Sequence, residues 1–153
     1  MGNDNDEDPL KYEPHYREIT KPEQVEIYEP ILKDSQGKVT TGLLHAVGYL
    51  KDNRLLPHGF DKVTAEKDIA VTGGAADDPA FTDKGSTVRY VVLTGNATGP
   101  FKVEVELWYQ PIGFRWAHNL APYKASEPQQ MVRYYEGAAQ QSAMVLARAE
   151  ATW

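Results

Sequence analysis

Polar and apolar residues alternate over residues 101–110, and this alternation is the strongest structural signal in the chain. The apolar positions are Phe101, Val103, Val105, Leu107 and Tyr109, and the intervening ones are Lys102, Glu104, Glu106, Trp108 and Gln110. Successive side chains of a strand leave opposite faces of a sheet, so a period of two is typical of a half-buried strand. The pattern therefore predicts a strand with one dry face and one solvated face.

Weaker patterns predict further strands and one helix. Strands are expected over residues 25–32, 38–41, 87–94 and 143–149, with a turn at 34–37. A wide hairpin at 95–100 is expected to join 87–94 to 101–110. The segment at 42–52 fits a strand or a helix equally. Pro30 predicts that the first strand lies at an edge or carries a bulge. A Ser-Glu-Pro sequence predicts a helix near residues 127–138 with Ser126 as its cap, and Gly137 indicates that this helix is short.

Together these elements predict a mainly β fold, an immunoglobulin-like or related β-sandwich with one short helix near the C-terminus. A length of 153 residues fits one domain. We expect residues 1–9 to be an acidic flexible lead-in and residues 10–153 to be a single β-rich domain, a fragment of a longer protein. Strands missing from such a fragment would leave an open sheet edge, through which two copies could form a homodimer.

Composition excludes several classes of function. Cysteine is absent, which removes disulfides, thiol nucleophiles and the Cys-x-x-Cys-His attachment of c-type haem. The net charge is −6 and the basic residues are scattered, which argues against nucleic-acid binding. No apolar run is long enough to span a bilayer, so we expect no membrane insertion.

The acidic start of the chain is a candidate calcium site. Asp4, Asp6 and Asp8 occupy alternate positions, as do the early ligands of a calcium loop. Pro9 and His15 stand where that loop needs a glycine and a bidentate acid, so a solvated acidic tail is the competing interpretation.

Four histidines are present, and none has the spacing of a helical zinc site. His15 lies in a Tyr-Glu-Pro-His-Tyr segment that could present its imidazole to a haem iron on another domain. The competing interpretation is a surface or core histidine.

No motif of catalysis is visible. The chain has no Gly-x-Ser-x-Gly sequence and no phosphate-binding loop, so we predict that it is not an enzyme and assign no catalytic residue. Trp108 falls on the solvated face of the alternation and, with Trp116, is a candidate surface for a partner or a sugar. A covering loop or helix would instead bury Trp108.

Three stretches, residues 24–29, 49–62 and 109–117, together resemble the C-terminal β-rich, haem-free region of bacterial multihaem cytochrome-c-family proteins. The Tyr-Glu-Pro-His sequence at residues 12–15 fits that likeness, which extends over residues 4–149. The resemblance implies an exported, periplasmic parent protein that carries its haem in a part outside this chain.

The function implied by the resemblance is that of a non-catalytic accessory module in electron transfer. Such a module would orient or cover the haem-bearing domain of the same parent, or dock a redox partner protein. The alternative is a module that binds calcium at Asp4, Asp6 and Asp8 or a carbohydrate against Trp108 and Trp116. A metal-dependent hydrolase ranks last.

Overall fold

The structure is a computed structural model, which describes residue 8 and residues 10–153. Within that part the chain has seven strands in three small sheets and two α-helices, so the prediction of a mainly β fold is confirmed. The finer prediction, an immunoglobulin-like sandwich, is not confirmed by these sheets. The residues fall into two compact units, one ending at Val92 and the other running from Leu93 to Trp153.

The first unit contains a three-stranded antiparallel sheet. Its strands are β2 (Pro30–Lys33), β3 (Val39–Thr40) and β4 (Gly48–Asp52), in the order β3-β2-β4. β2 begins at Pro30, a position where the missing N–H is tolerated, and the register shifts directly after Ile31. Of the two alternatives predicted from Pro30, the bulge is therefore confirmed and the edge position is wrong, because β2 is the central strand. The strand is also shorter than the predicted residues 25–32.

The turn predicted at residues 34–37 is confirmed. Asp34 accepts hydrogen bonds through its carboxylate from the N–H groups of Gln36 and Lys38, at 2.8 and 2.9 Å, and Gly37 supplies a positive φ of 77°. The ambiguous segment at 42–52 resolves into a turn followed by β4.

Two short strands complete the sheets of the first unit, and here one prediction is wrong. β1 (Glu18–Ile19) pairs in parallel with β5 (Arg89–Tyr90). The strand predicted over residues 87–94 is thus two residues long, because β1 offers no longer partner. It does not form a hairpin with the strand that follows.

The second unit contains a two-stranded antiparallel sheet and both helices. Its elements are β6 (Lys102–Tyr109), α1 (Phe114–His118), α2 (Ser126–Ser142) and β7 (Met144–Thr152). β6 pairs with β7 with a register shift between Leu107 and Trp108, and we call this pair the β6–β7 ribbon. The predicted strands at 101–110 and 143–149 are confirmed.

The predicted helix exists but is longer than expected. Ala125 is the capping residue, whereas the hydroxyl of Ser126 donates to the carboxylate of Glu127, so the predicted serine cap is wrong. The helix continues through Gly137 to Ser142. An interior glycine costs only about 1 kcal/mol relative to alanine, which the rest of a long helix can offset.

Candidate functional site

Charged and polar side chains, rather than apolar ones, dominate the interior of the first unit. The buried polar residues there are Glu13, His15, Lys51, Asp52, Asn53 and Asp78. The extended segment 11–29 contributes His15 and Glu26, β4 contributes Lys51, and the loop after a 3₁₀ helix at Gly73–Ala75 contributes Asp78. We call His15, Glu26, Asn53 and Asp78 the buried histidine cluster.

His15 lies between two carboxylates. Its side chain is 0% exposed, with Nδ1 2.9 Å from Oε1 of Glu26 and Nε2 3.0 Å from Oδ2 of Asp78. A neutral imidazole has one N–H, so it donates to only one of them, whereas a doubly protonated ring donates to both. When the ring is neutral, the second contact therefore requires a proton on the carboxylate.

Glu26 is the carboxylate better suited to take that proton. Burial raises its pKa above the ordinary 4.5, and this outweighs the N–H of Tyr16 and the charges of His15 and Lys51, which lower it. Asn53 fixes the carboxylate by donating from Nδ2 to Oε1 at 2.8 Å, and the N–H of Tyr16 donates to Oε2 at 2.6 Å.

Asp78 has the opposite tendency. Burial would raise its pKa, but hydrogen bonds from His15 and from the N–H of Ala80, together with the charge of Arg17, hold it below the ordinary 3.8. The N–H of Ala80 donates to Oδ1 at 2.9 Å. Asp78 is thus favoured as the charged member of the cluster.

Gly73 allows the 3₁₀ helix before Asp78 to approach β4. Its φ is +79°, and a Cβ there would lie 3.1 Å from the carbonyl oxygen of Leu50. A residue with a side chain would meet both strained backbone and the neighbouring strand. The glycine therefore helps to bring Asp78 to His15.

Lys51 binds the extended segment to β4. Lys51 is 1% exposed, and its Nζ donates to the carbonyl oxygens of Glu13 and Ile27 at 2.7 and 2.8 Å. The same Nζ lies 3.4 Å from Oε1 of Glu29. Beside it, the hydroxyl of Tyr16 donates to Oε2 of Glu13 at 2.6 Å. Burial, the hydrogen bond to Glu13 and the charge of Glu13 raise the pKa of Tyr16 to about 12.

Of the three calcium candidates, the part of the chain that the structure describes contains only Asp8. Asp4 and Asp6 lie outside the described residues, and Asp8 accepts from the N–H of Leu10 and pairs with Lys11 at 3.5 Å. Among residue 8 and residues 10–153, no group of three or more His, Asp or Glu side chains is placed to hold a metal ion.

His15, the haem-facing candidate, lies in the interior rather than at the surface. Both of its ring nitrogens already face carboxylates, and Phe81 packs edge-on at 5.2 Å between ring centroids. Sequence reasoning selected this histidine but missed Glu26 and Asp78, which are 11 and 63 residues away. No local spacing signals such a pairing.

Trp108 and Trp116 both lie in the second unit. Trp108 is half exposed on β6 and donates from Nε1 to the carboxylate of Glu106 at 2.9 Å, which places the two on one face of the strand. Trp116 is partly exposed on α1. Sequence reasoning missed the cross-strand neighbours, since Trp108 lies opposite Val145 and Tyr109 opposite Met144.

Comparison with family models, with curated proteins and with solved structures gave no match to this chain. Neither helix in the described part of the chain has the length and apolar character that crossing a membrane requires. The function must therefore be argued from the chain's own residues.

Proposed function

We propose that this chain is a non-catalytic accessory module that docks a partner protein through one end of the β6–β7 ribbon. The observation that carries the proposal is a group of large, exposed apolar side chains on both faces of the ribbon at the register shift, which we call the bulged end. Its members and their exposed fractions are Trp108 (54%), Tyr109 (47%), Met144 (53%) and Val145 (41%). Trp108 and Val145 pair on one face of the ribbon, and Tyr109 and Met144 pair on the opposite face, so this end is apolar on both faces.

The composition of the bulged end suits a protein interface. Tryptophan, tyrosine and methionine are enriched in the cores of interfaces, and adjacent exposed apolar side chains mark interaction sites. The indole N–H of Trp108 already has an acceptor in Glu106. The ring can therefore enter an apolar pocket without leaving an unpaired donor.

The partner that we propose is a haem-bearing domain of an exported, periplasmic electron-transfer protein. The resemblance of residues 24–29, 49–62 and 109–117 to multihaem cytochrome-c-family proteins supports this choice. The chain lacks cysteine and so has no thioether attachment for its own haem, which fits a module that acts on a haem held elsewhere. Its contribution would be to fix the position and exposure of that cofactor.

The buried histidine cluster supports a non-catalytic role. His15 and Asn53 bond to carboxylates and to main-chain oxygen, and Lys51 bonds to two carbonyl oxygens. These groups hold the extended segment 11–29 against β4 and the loop at Asp78. Their polar atoms are directed at each other rather than at a substrate position.

Quenching of tryptophan fluorescence tests the proposed docking. All three tryptophans, Trp108, Trp116 and Trp153, belong to the second unit. Titration with a purified oxidised multihaem c-type cytochrome should quench their emission to saturation, because a haem docked nearby accepts the excitation energy.

The matched variants keep every tryptophan. Met144→Ser removes an apolar contact from the bulged end, and we expect about tenfold weaker binding. Leu44→Ser makes the same kind of change at a residue of the first unit that is 99% exposed, and we expect unchanged binding. Quenching that does not saturate, or that responds equally to the two variants, would contradict the proposal.

A further inference from the structure

The outer edge of β7 is open. In the described part of the chain the β6–β7 ribbon has only two strands, and all nine residues of β7 are exposed. An open edge presents unpaired N–H and C=O groups that can accept another strand.

The main-chain hydrogen bonds at the end of the ribbon fix which groups of β7 face that edge. Phe101 and Trp153 exchange both main-chain bonds, at 2.8 and 3.1 Å, so they form a hydrogen-bonded pair. Antiparallel ladders alternate hydrogen-bonded and non-hydrogen-bonded pairs, so the Val105–Ala149 pair is hydrogen-bonded too. The N–H and C=O groups of Arg148 and Glu150 therefore point away from β6, toward the open edge.

We propose that a second copy of this chain pairs with β7 in an antiparallel arrangement, with Ala149 opposite Ala149 of the second copy. This inference does not depend on the haem-bearing partner proposed above. Arg148 then lies opposite Glu150 of the second copy, and Glu150 opposite its Arg148. Both pairs join residues whose main-chain groups point outward, so each can exchange two hydrogen bonds.

Charge favours this register. Glu150 lies directly opposite Glu104 in the ribbon, and Lys102 bridges both carboxylates, at 3.1 Å from Glu150. Like charges on opposite strands are destabilising, so an arginine on the open side of Glu150 would offset this repulsion.

Neighbouring registers match less well. A two-fold axis centred on Arg148 would set two arginines against each other, and one centred on Glu150 would set two glutamates against each other. An axis centred between two residues would set outward-pointing main-chain groups against inward-pointing ones and would mix the apolar face with the charged face. The Ala149 register satisfies both the main chain and the charges.

Single cysteine variants test the register, since the full chain has no cysteine of its own. Under mild oxidation we expect Ala149→Cys to form a disulfide dimer, because residues opposite each other in a non-hydrogen-bonded pair have Cα atoms about 4.5 Å apart. Ala151→Cys is the matched control. It would lie opposite Ala147, so the two cysteines would be about 13 Å apart along the strands. Equal cross-linking of the two variants, or none by Ala149→Cys, overturns the proposal.

Charge reversal tests the same pairing without a covalent bond. The contact is short, so we expect a weak dimer whose population in sedimentation velocity rises with concentration. Arg148→Glu alone and Glu150→Arg alone should each raise the dissociation constant about tenfold, and an equimolar mixture should restore dimers. A wild-type chain that remains a monomer up to roughly 0.5 mM overturns the proposal, since a weak edge contact would be populated there.

A proline pair remains informative if the charge variants fold poorly. Glu150→Pro removes an outward N–H from β7, whereas Glu104→Pro removes the equivalent N–H from the far edge of β6. We expect only Glu150→Pro to abolish the dimer. An equal loss in both variants overturns the proposal.

Discussion

The imidazole of His15 and the carboxylate of Glu26 lie 2.9 Å apart, between Nδ1 and Oε1, with both side chains almost completely buried. Neither group can exchange this contact for water while the first unit stays folded. Because Asp78 occupies the other ring nitrogen at 3.0 Å, the ring links two distant parts of the chain. Stability of the first unit should therefore depend strongly on this one side chain.

We expect His15→Ala to destabilise the first unit by about 3–5 kcal/mol, because it leaves two buried carboxylates without their partner. Hydrogen exchange of peptides from residues 10–92 measures this directly. His58→Ala is the control, since that ring is 93% exposed and its contact with the carboxylate of Asp83 is long, at 3.5 Å. It should change stability by less than about 0.5 kcal/mol. Equal effects of the two substitutions would show that the cluster does not stabilise the fold.

Asp78→Asn should show an acid-dependent effect. The pKa of Asp78 is lowered below 3.8 in the folded chain, so its stabilising contribution is present above that pH and is lost as pH falls through the lowered pKa. We expect the stability difference between wild type and variant to be constant near neutrality and to shrink below pH 3.8. Urea melts followed by circular dichroism measure it, with tryptophan fluorescence, which reports the second unit, as the internal control.

Glu26→Gln should show the opposite sign. The pKa of Glu26 is raised above 4.5, mainly by burial, so its contribution is fully present below pH 4.5 and is lost as pH rises through the raised pKa. The wild type should therefore lose stability relative to the variant as pH rises from 4.5. The same urea melts measure this effect. A wild type that gains stability relative to the variant as pH rises would contradict the assigned direction.

Lys51→Met should cost about 2 kcal/mol, because it keeps the length of the side chain but leaves the carbonyl oxygens of Glu13 and Ile27 without a donor. Lys67→Met is the matched control at an exposed position. Thermal melts by circular dichroism compare the two. A neutral effect of Lys51→Met would mean that water replaces the ammonium group.

The strands of the ribbon could be predicted from sequence because their signal is local. β6 shows its period of two within its own residues. The strand around Arg89 is shorter than its sequence predicts, because its length depends on β1, about 70 residues earlier in the chain. The helix extended past Gly137 because a single unfavourable residue does not outweigh the others.

The interior of the first unit could not be predicted in the same way. The aromatic residues beside His15 made it a candidate, yet its environment is set by Glu26 and Asp78. No sequence pattern in the chain between these residues predicts that they come into contact. The burial of Lys51 could not be predicted either, since a lysine in a strand ordinarily indicates a side chain that faces solvent. Contacts between distant, chemically ordinary residues are specified by the whole fold rather than by any window of sequence.

The donation from Lys51 to the carbonyl oxygens of Glu13 and Ile27 sets a boundary for shortening the protein. Truncation ahead of Tyr12 leaves both of these acceptors in place. Truncation beyond His15 removes the acceptor on Glu13 together with the imidazole and leaves the buried ammonium group of Lys51 with fewer partners. Glu13 and His15 thus tie the beginning of the domain to its interior, and a minimal version of the first unit has to begin before them.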